Sequence, residues 1–173
     1  MLFTNTSMKN KILIGVGILV VVVLLSGCIS QPPATTPPPA GEKEISFETV
    51  MNGKDGYSGY TEKANLVIND EETFFKIWRN YTSVFSCPTC GAFPFPKVNF
   101  SNETVIAVFM GEKNTGGYSI EITKIIDNGN NVIVYVNETS PKPDDIVTLA
   151  LTQPYHIVKI KKILGLVEFQ KIE

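Results

Sequence analysis

Short runs of β-branched and aromatic residues recur along the chain from Glu44 onward, and residues typical of turns separate them. Runs of this length and composition are typical of β-strands. We predict eight strands, at residues 45–50, 65–68, 104–110, 118–126, 131–137, 146–151, 155–160 and 166–172. The tetrapeptide Asp127-Asn128-Gly129-Asn130 predicts a hairpin, and the proline-rich segment 141–145 predicts a longer loop.

One segment has helical periodicity instead. Its apolar residues recur at three- and four-residue spacing and share one face: Phe74, Ile77, Trp78 and Tyr81. Asn69 is the predicted N-cap, and Glu72 follows three residues later as in a capping box. An aromatic stripe of this kind is expected to pack on a sheet. The predicted fold class is therefore mainly β (α+β), an antiparallel β-sandwich-like domain with one packed helix.

The N-terminal residues have a different pattern. Lys9 and Lys11 precede an apolar run of 14 residues, 12–25. A bilayer-spanning helix needs about 20 residues, whereas this length suits the hydrophobic region of a signal peptide. The run ends in Leu25-Ser26-Gly27-Cys28, which resembles the lipobox of exported lipoproteins and implies a lipid on Cys28. An uncleaved signal anchor is the alternative.

Residues 31–41 are rich in proline and threonine, a composition that favours extended polyproline II and serves as a spacer. We predict three parts: a lipoprotein signal peptide at 1–27, the lipidated cysteine with a Pro/Thr-rich linker at 28–43, and a β domain at 44–173. Lipidation of Cys28 would anchor the protein in the cell membrane, on its extracytoplasmic face.

Charge and composition narrow the range of functions. The net charge is −2 at pH 7, and no basic patch is interleaved with aromatic residues, so we expect no nucleic-acid partner. The chain has one histidine, His156, and no G-x-S-x-G nucleophile motif. Strand alternation places His156 on the face of Val158 and Ile160, which indicates a partly buried, hydrogen-bonded histidine. We expect no catalytic residue, cofactor or metal.

Cys87 and Cys90 form a C-x-x-C motif that fits a redox dithiol, half of a zinc site or a local disulfide. The motif follows the predicted helix and enters a proline-containing segment that no helix could include. An exported dithiol tends to oxidise, which favours a disulfide. A thiol-disulfide oxidoreductase remains an alternative function.

A glycine-rich stretch joins two predicted strands. Gly111 and Gly116 have the G-x-x-x-x-G spacing of a phosphate-binding loop, but Gly117 and Tyr118 stand where that motif needs Lys and Ser or Thr. A strand follows where a helix should begin. The stretch is therefore predicted to be a strand-to-strand turn that uses glycine for positive φ, or a loop presented to a partner.

Two sequence blocks carry a resemblance to a known family. Thr115-Gly116-Gly117-Tyr118-Ser119 and, further on, Pro154-Tyr155-His156-Ile157-Val158-Lys159 resemble the C-terminal domain of the protease-complex subunit PrcB. The resemblance extends over residues 60–162 and implies a non-catalytic lipoprotein that associates with an exported protease. Cys87 and Cys90 are not part of this pattern.

The loop at residues 114–118 is also similar to the loop that chagasin-type inhibitors present to cysteine proteases, although it lacks their proline. Both resemblances imply a protein contact there. The predicted partner-binding residues are Asn114, Thr115, Gly116, Gly117, Tyr118, Pro154, Tyr155 and His156. The sequence thus predicts a membrane-anchored, non-catalytic lipoprotein that binds, and stabilises or modulates, an exported protein such as a protease. The alternatives are the oxidoreductase above and a purely structural envelope protein.

Overall fold

The computed structural model describes residues 41–54, 56–84 and 94–172. The predicted lipid attachment at Cys28 and the predicted disulfide of Cys87 and Cys90 lie outside these residues. The elements, in chain order, are β1 (Lys43–Glu44), β2 (Phe47–Gly53), β3 (Ala64–Ile68), α1 (Glu71–Val84), β4 (Glu103–Phe109), β5 (Ser119–Asp127), β6 (Asn131–Thr139), β7 (Tyr155–Lys161) and β8 (Leu166–Ile172). Within the described residues, no helix is long and apolar enough to cross a membrane.

The strands form two four-stranded sheets, one with the order β1-β5-β6-β8 and the other with the order β2-β7-β4-β3. Neighbouring strands are antiparallel, except that β6 and β8 are parallel. The chain crosses from one sheet to the other four times, between β1 and β2, β4 and β5, β6 and β7, and β7 and β8. The predicted mainly β, sandwich-like fold with one helix is confirmed.

Two apolar cores hold these layers together. Residues of both sheets, among them Val108, Ile122 and Val158, form the first core between the sheets. The second core lies between α1 and the outer face of the second sheet, and Phe74 of the helix is completely buried in it. The central strand β4 contributes to both cores, so every residue from Thr104 to Phe109 is buried. Burial on both faces explains why β4 is an uninterrupted apolar run rather than an alternating one.

One predicted strand is wrong. Residues 146–151 form no strand, and the side chains of Ile146 and Leu149 are 103% and 93% exposed. The segment leads from the end of β6 in one sheet to the start of β7 in the other, so it lies beyond both sheets and has no neighbouring strand. The backbone of this segment therefore has no strand to pair with, and a composition typical of strands is not sufficient to form one.

The predicted N-cap is also wrong by one residue. The carboxylate of Asp70, not Asn69, accepts the backbone N–H of Thr73 at 2.8 Å. This hydrogen bond lowers the pKa of Asp70. Asn69 is engaged elsewhere, because its side-chain oxygen accepts the hydroxyl of buried Thr104 at 2.7 Å. With Asp70 at the cap, Glu72 is not at the third helical position, and the predicted capping box does not form.

Candidate interaction surface at one end of the sandwich

Three loops meet at one end of the sandwich, which we name the loop end. Register fixes this arrangement, because the end of β2 pairs with the start of β7, the start of β3 with the end of β4, and the start of β5 with the end of β6. The loop end therefore consists of the β2–β3, β4–β5 and β6–β7 connections. The last two contain the glycine stretch and the segment wrongly predicted as a strand.

Backbone hydrogen bonds join the β4–β5 loop to the β6–β7 loop. Lys113 and Thr152 exchange two N–H···O=C bonds, at 2.8 and 2.9 Å. The N–H of Gly116 donates to the carbonyl of Thr148 at 2.9 Å, and the Thr152 hydroxyl donates to the carbonyl of Thr115 at 2.9 Å. The glycine stretch connects strands of different sheets, so it is not a hairpin turn. Four hydrogen bonds instead make it one side of a two-loop unit.

Gly117 packs closely against the β6–β7 loop. Its φ of +85° is the left-handed conformation that side-chain-bearing residues rarely adopt. A Cβ added there would lie 2.8 Å from Cγ1 of Val147 and 3.0 Å from Cβ of Pro141. The predicted positive φ is thus found at Gly117, and close packing between the loops gives glycine a second reason to stand there.

Gln153 joins the third loop to the other two. Its backbone N–H donates to the carbonyl of Gly56 at 2.8 Å, and its side-chain oxygen accepts the N–H of Gly59 at 2.8 Å. Its amide nitrogen donates to the Glu112 carboxylate at 3.0 Å. Gln153 is only 4% exposed, so these bonds satisfy a buried polar side chain and fix all three loops relative to the sheets.

Apolar side chains project from this fixed scaffold into solvent. Ile146 and Leu149 are fully exposed, and Leu151 is 45% exposed. Asn114 and Gly117, from the predicted binding loop, are also exposed. Isolated exposed apolar residues are ordinary in proteins, but several together on a rigid loop are typical of an interaction site.

The predicted partner-binding residues are divided between this surface and the interior. Asn114 and Gly117 are exposed, Thr115 and Tyr118 are half-buried, and Gly116 is buried. Tyr118 packs on the core between the sheets, and Nζ of Lys113 lies 5.6 Å from the centre of its ring. In the second block, Pro154, Tyr155 and His156 are all buried and lie beneath the loops.

Tyr155 supports the loop end from the helix side. Its ring packs against Phe109 and meets the ring of Tyr81 edge-on, with 5.8 Å between the centroids. A Cβ at Gly56 would lie 3.2 Å from this ring, so the β2–β3 loop passes directly over it. Burial, together with its interaction with the Tyr81 hydroxyl, raises the pKa of Tyr155 well above 10. The phenol therefore stays neutral and acts as a packing residue.

His156 links three strands from the opposite face of β7. Its Nδ1 accepts the backbone N–H of Ile122 in β5 at 2.9 Å, across the gap between the sheets. The neutral ring then carries its proton on Nε2, which lies 3.0 Å from the Thr49 hydroxyl in β2. Burial lowers the pKa of His156, and nearby Glu121 opposes that shift. The predicted hydrogen bonding of His156 is found, and its burial, at 2% exposure, is more complete than the partial burial predicted.

Register irregularities accompany both of these contacts. The β5–β6 ladder shifts by one residue directly after Ile122, and the β2–β7 ladder shifts directly after Thr49. A bulge redirects the groups beside it out of the regular ladder. The two bulges thus lie beside the backbone N–H and the hydroxyl that His156 binds.

Sequence reasoning found the glycine stretch but missed the rest of this surface. Ile146 and Leu149 belong to the strand predicted at 146–151, and the sequence predicts no role for Gln153. No local signal identifies this loop, because Pro141 and Pro143 precede residues 146–151 and do not interrupt them. In the part of the chain that the structure describes, no three His, Cys, Asp or Glu residues are grouped as metal ligands would be.

The fold and this surface define a β-sandwich domain that presents a hydrogen-bonded, partly apolar loop surface at one end. Residues 104–161, from β4 to β7, match the family model described as PrcB C-terminal, which confirms the predicted resemblance. This is consistent with a subunit that associates with a protease complex. Comparison with curated proteins and with solved structures gave no match.

Proposed function

We propose that this protein is an exported, membrane-anchored lipoprotein whose β domain binds, and stabilises or modulates, an exported protein such as a protease. The apolar leader that ends at Cys28 and the Pro/Thr-rich linker support anchoring on the extracytoplasmic face. The PrcB C-terminal match supports association with a protease. It also supports a non-catalytic role, which agrees with the absence of a nucleophile motif around the single histidine.

One observation carries the choice of contact surface. Ile146 and Leu149 are fully exposed on a loop whose backbone is bonded to the glycine stretch. A loop that is already ordered loses little conformational entropy when it binds. A few side chains that become fully buried in the partner contribute most of the binding energy of such interfaces. The proposed contact surface is therefore the β6–β7 loop together with the neighbouring exposed positions, Asn114 and Gly117.

The other predicted residues have supporting roles in this proposal. Thr115 and Gly116 form hydrogen bonds that hold the two loops together. Tyr118 packs on the core, and Pro154, Tyr155 and His156 form the buried base of the loop end. Their substitution is expected to alter binding indirectly, through the position of the loops.

The chain enters the domain at the opposite end. Lys43 in β1 pairs with Asp127 at the far end of β5, beside the turn that joins β5 to β6. Strands rise about 3.3 Å per residue, and β5 has nine residues, so the two ends lie some 25–30 Å apart. A membrane tether before Gly41 would thus leave the loop end pointing away from the membrane, accessible to another exported protein.

Quantitative co-purification from detergent-solubilised membranes tests this function. The full-length protein should retain a specific exported protein, whereas Leu149→Ser should weaken retention by about 10-fold or more, because burial of a leucine contributes about 1.5–3 kcal/mol. Leu164→Ser is the matched control, since Leu164 is 95% exposed but lies at the other end of the domain. Equal retention by both variants would contradict the proposed surface, and recovery of no specific exported protein would contradict the proposed function.

A further inference from the structure

The turn between β7 and β8 carries a second pair of exposed apolar residues. Leu164 and Leu166 are 95% and 74% exposed, with Gly165 between them. They are separate from the loop end, since β7 runs from the loop end to this turn. Nothing in the proposed contact with an exported protein uses them.

This turn lies at the end of the domain where the chain enters. Leu166 pairs with Asn131 at the start of β6, and a Cβ at Gly165 would lie 3.9 Å from the carbonyl oxygen of Asn130. The β5–β6 turn is also next to β1, through the pairing of Lys43 with Asp127. The β7–β8 turn, the β5–β6 turn and the entry of the chain at Gly41 therefore share one end, which we name the tethered end.

We propose that the tethered end rests on the membrane surface and inserts Leu164 and Leu166 into the lipid. This rests on the tethering part of the proposed function, but on neither the partner nor the loop end. It also holds for a lipid on Cys28 and for an uncleaved signal anchor, because in both cases the chain reaches the domain at Gly41. Thirteen residues, 28–40, separate Cys28 from that point, and they can span at most about 45 Å.

The short tether makes a weak lipid contact sufficient. Once the chain is anchored, contact between the domain and the surface is an intramolecular event with a high effective concentration. Leucine side chains that enter the boundary between headgroups and acyl chains leave water, which favours the contact. The tethered end is the part of the domain that the anchor holds nearest to the lipid.

The charges around the turn indicate that the leucines, rather than headgroup charge, drive the contact. Lys43, Lys161 and Lys162 lie at this end, and Glu42, Glu44 and Asp127 balance them. A mixed set of charges gives no net attraction to anionic lipid. We therefore expect the contact to form on neutral phosphatidylcholine and to resist added salt.

Fluorescence quenching in vesicles tests the proposal. Full-length protein is reconstituted in phosphatidylcholine vesicles that contain brominated acyl chains, with tryptophan introduced as Leu164→Trp or, as the matched control, Leu149→Trp. The one natural tryptophan, Trp78, is 9% exposed and common to both. Both substituted side chains are almost fully exposed, so neither change disturbs the core.

We expect the added emission of Leu164→Trp to be quenched several-fold more strongly than that of Leu149→Trp, with no change in high salt. Equal quenching of the two variants would overturn the proposal. A second result would also overturn it: emission from Leu164→Trp that brominated lipid does not quench but that changes with the protein-to-lipid ratio. That result would indicate contact with a second copy of the chain. Partner retention is measured separately with Leu149→Ser. Failure of the lipid contact can therefore be distinguished from failure of the proposed function.

Discussion

Replacement of His156 by leucine tests the hydrogen-bonded link between the two sheets. Leucine keeps much of the buried volume but cannot accept the N–H of Ile122, which now bonds to Nδ1 at 2.9 Å. Leaving a buried donor without a partner costs about 1–3 kcal/mol. At pH 8 we therefore expect the free energy of unfolding to fall by that amount.

The pH dependence distinguishes this account from a simple packing defect. Folding lowers the pKa of His156 from 6.5, so the unfolded chain binds a proton more readily than the folded chain. The stability of the wild type is thus complete above pH 6.5 and falls as the pH drops from 6.5 toward the folded pKa. One proton changes stability by at most about 1.4 kcal/mol per pH unit, which gives a loss of up to about 1.4 kcal/mol between pH 8 and 5.5.

Urea unfolding of the wild type and His156→Leu at pH 8, 7, 6 and 5.5 measures both effects. His156 is the only histidine, and carboxylates titrate mainly below this range. The wild type should lose stability across it, the variant should not, and the difference between them should shrink as the pH falls. An identical pH slope in both proteins would refute the assignment of a buried neutral histidine that accepts the Ile122 N–H.

Two further substitutions have matched controls. Gly117→Ala should lower stability by more than Gly129→Ala and should also reduce partner retention. Both glycines have φ near +85°, but only a Cβ at Gly117 would contact Val147. Equal unfolding midpoints for the two variants would contradict the close loop packing. Asp70→Ala should lower the thermal unfolding midpoint, whereas Asp70→Ser should preserve it, because serine can still accept the N–H of Thr73. An unchanged midpoint in both variants would exclude Asp70 as the cap.

Sequence patterns predicted the elements whose stability depends on local alternation. The β5–β6 hairpin follows from its Asn-Gly turn, and α1 follows from an apolar stripe that meets one core. The error at residues 146–151 has a tertiary cause, because a strand also needs a neighbouring strand to pair with, and this segment runs from one sheet to the other beyond the ends of both. At the start of α1, Asn69 and Asp70 are both good caps, and the hydroxyl of Thr104 decides between them by occupying Asn69.

Sequence patterns likewise predicted only part of the candidate site. Glycine chemistry identified the β4–β5 loop, and strand alternation placed His156 against the core between the sheets. Alternation could not show that Tyr155, on the other face of β7, is buried as well, since α1 covers that face only in the folded domain. The exposure of Ile146 and Leu149 depends on how the β6–β7 loop is fixed to Gly116 and Lys113, which no local pattern contains.

Site-specific photo-crosslinking in intact cells is the most direct measurement of the proposed contact. A photoreactive phenylalanine analogue is placed at position 149 or, in the matched protein, at position 164, which is equally exposed at the tethered end. We predict a discrete crosslinked species between position 149 and one exported protein, and none from position 164. A crosslink to that protein from position 164, or no protein crosslink from position 149, would contradict the assignment of the loop end as the binding surface.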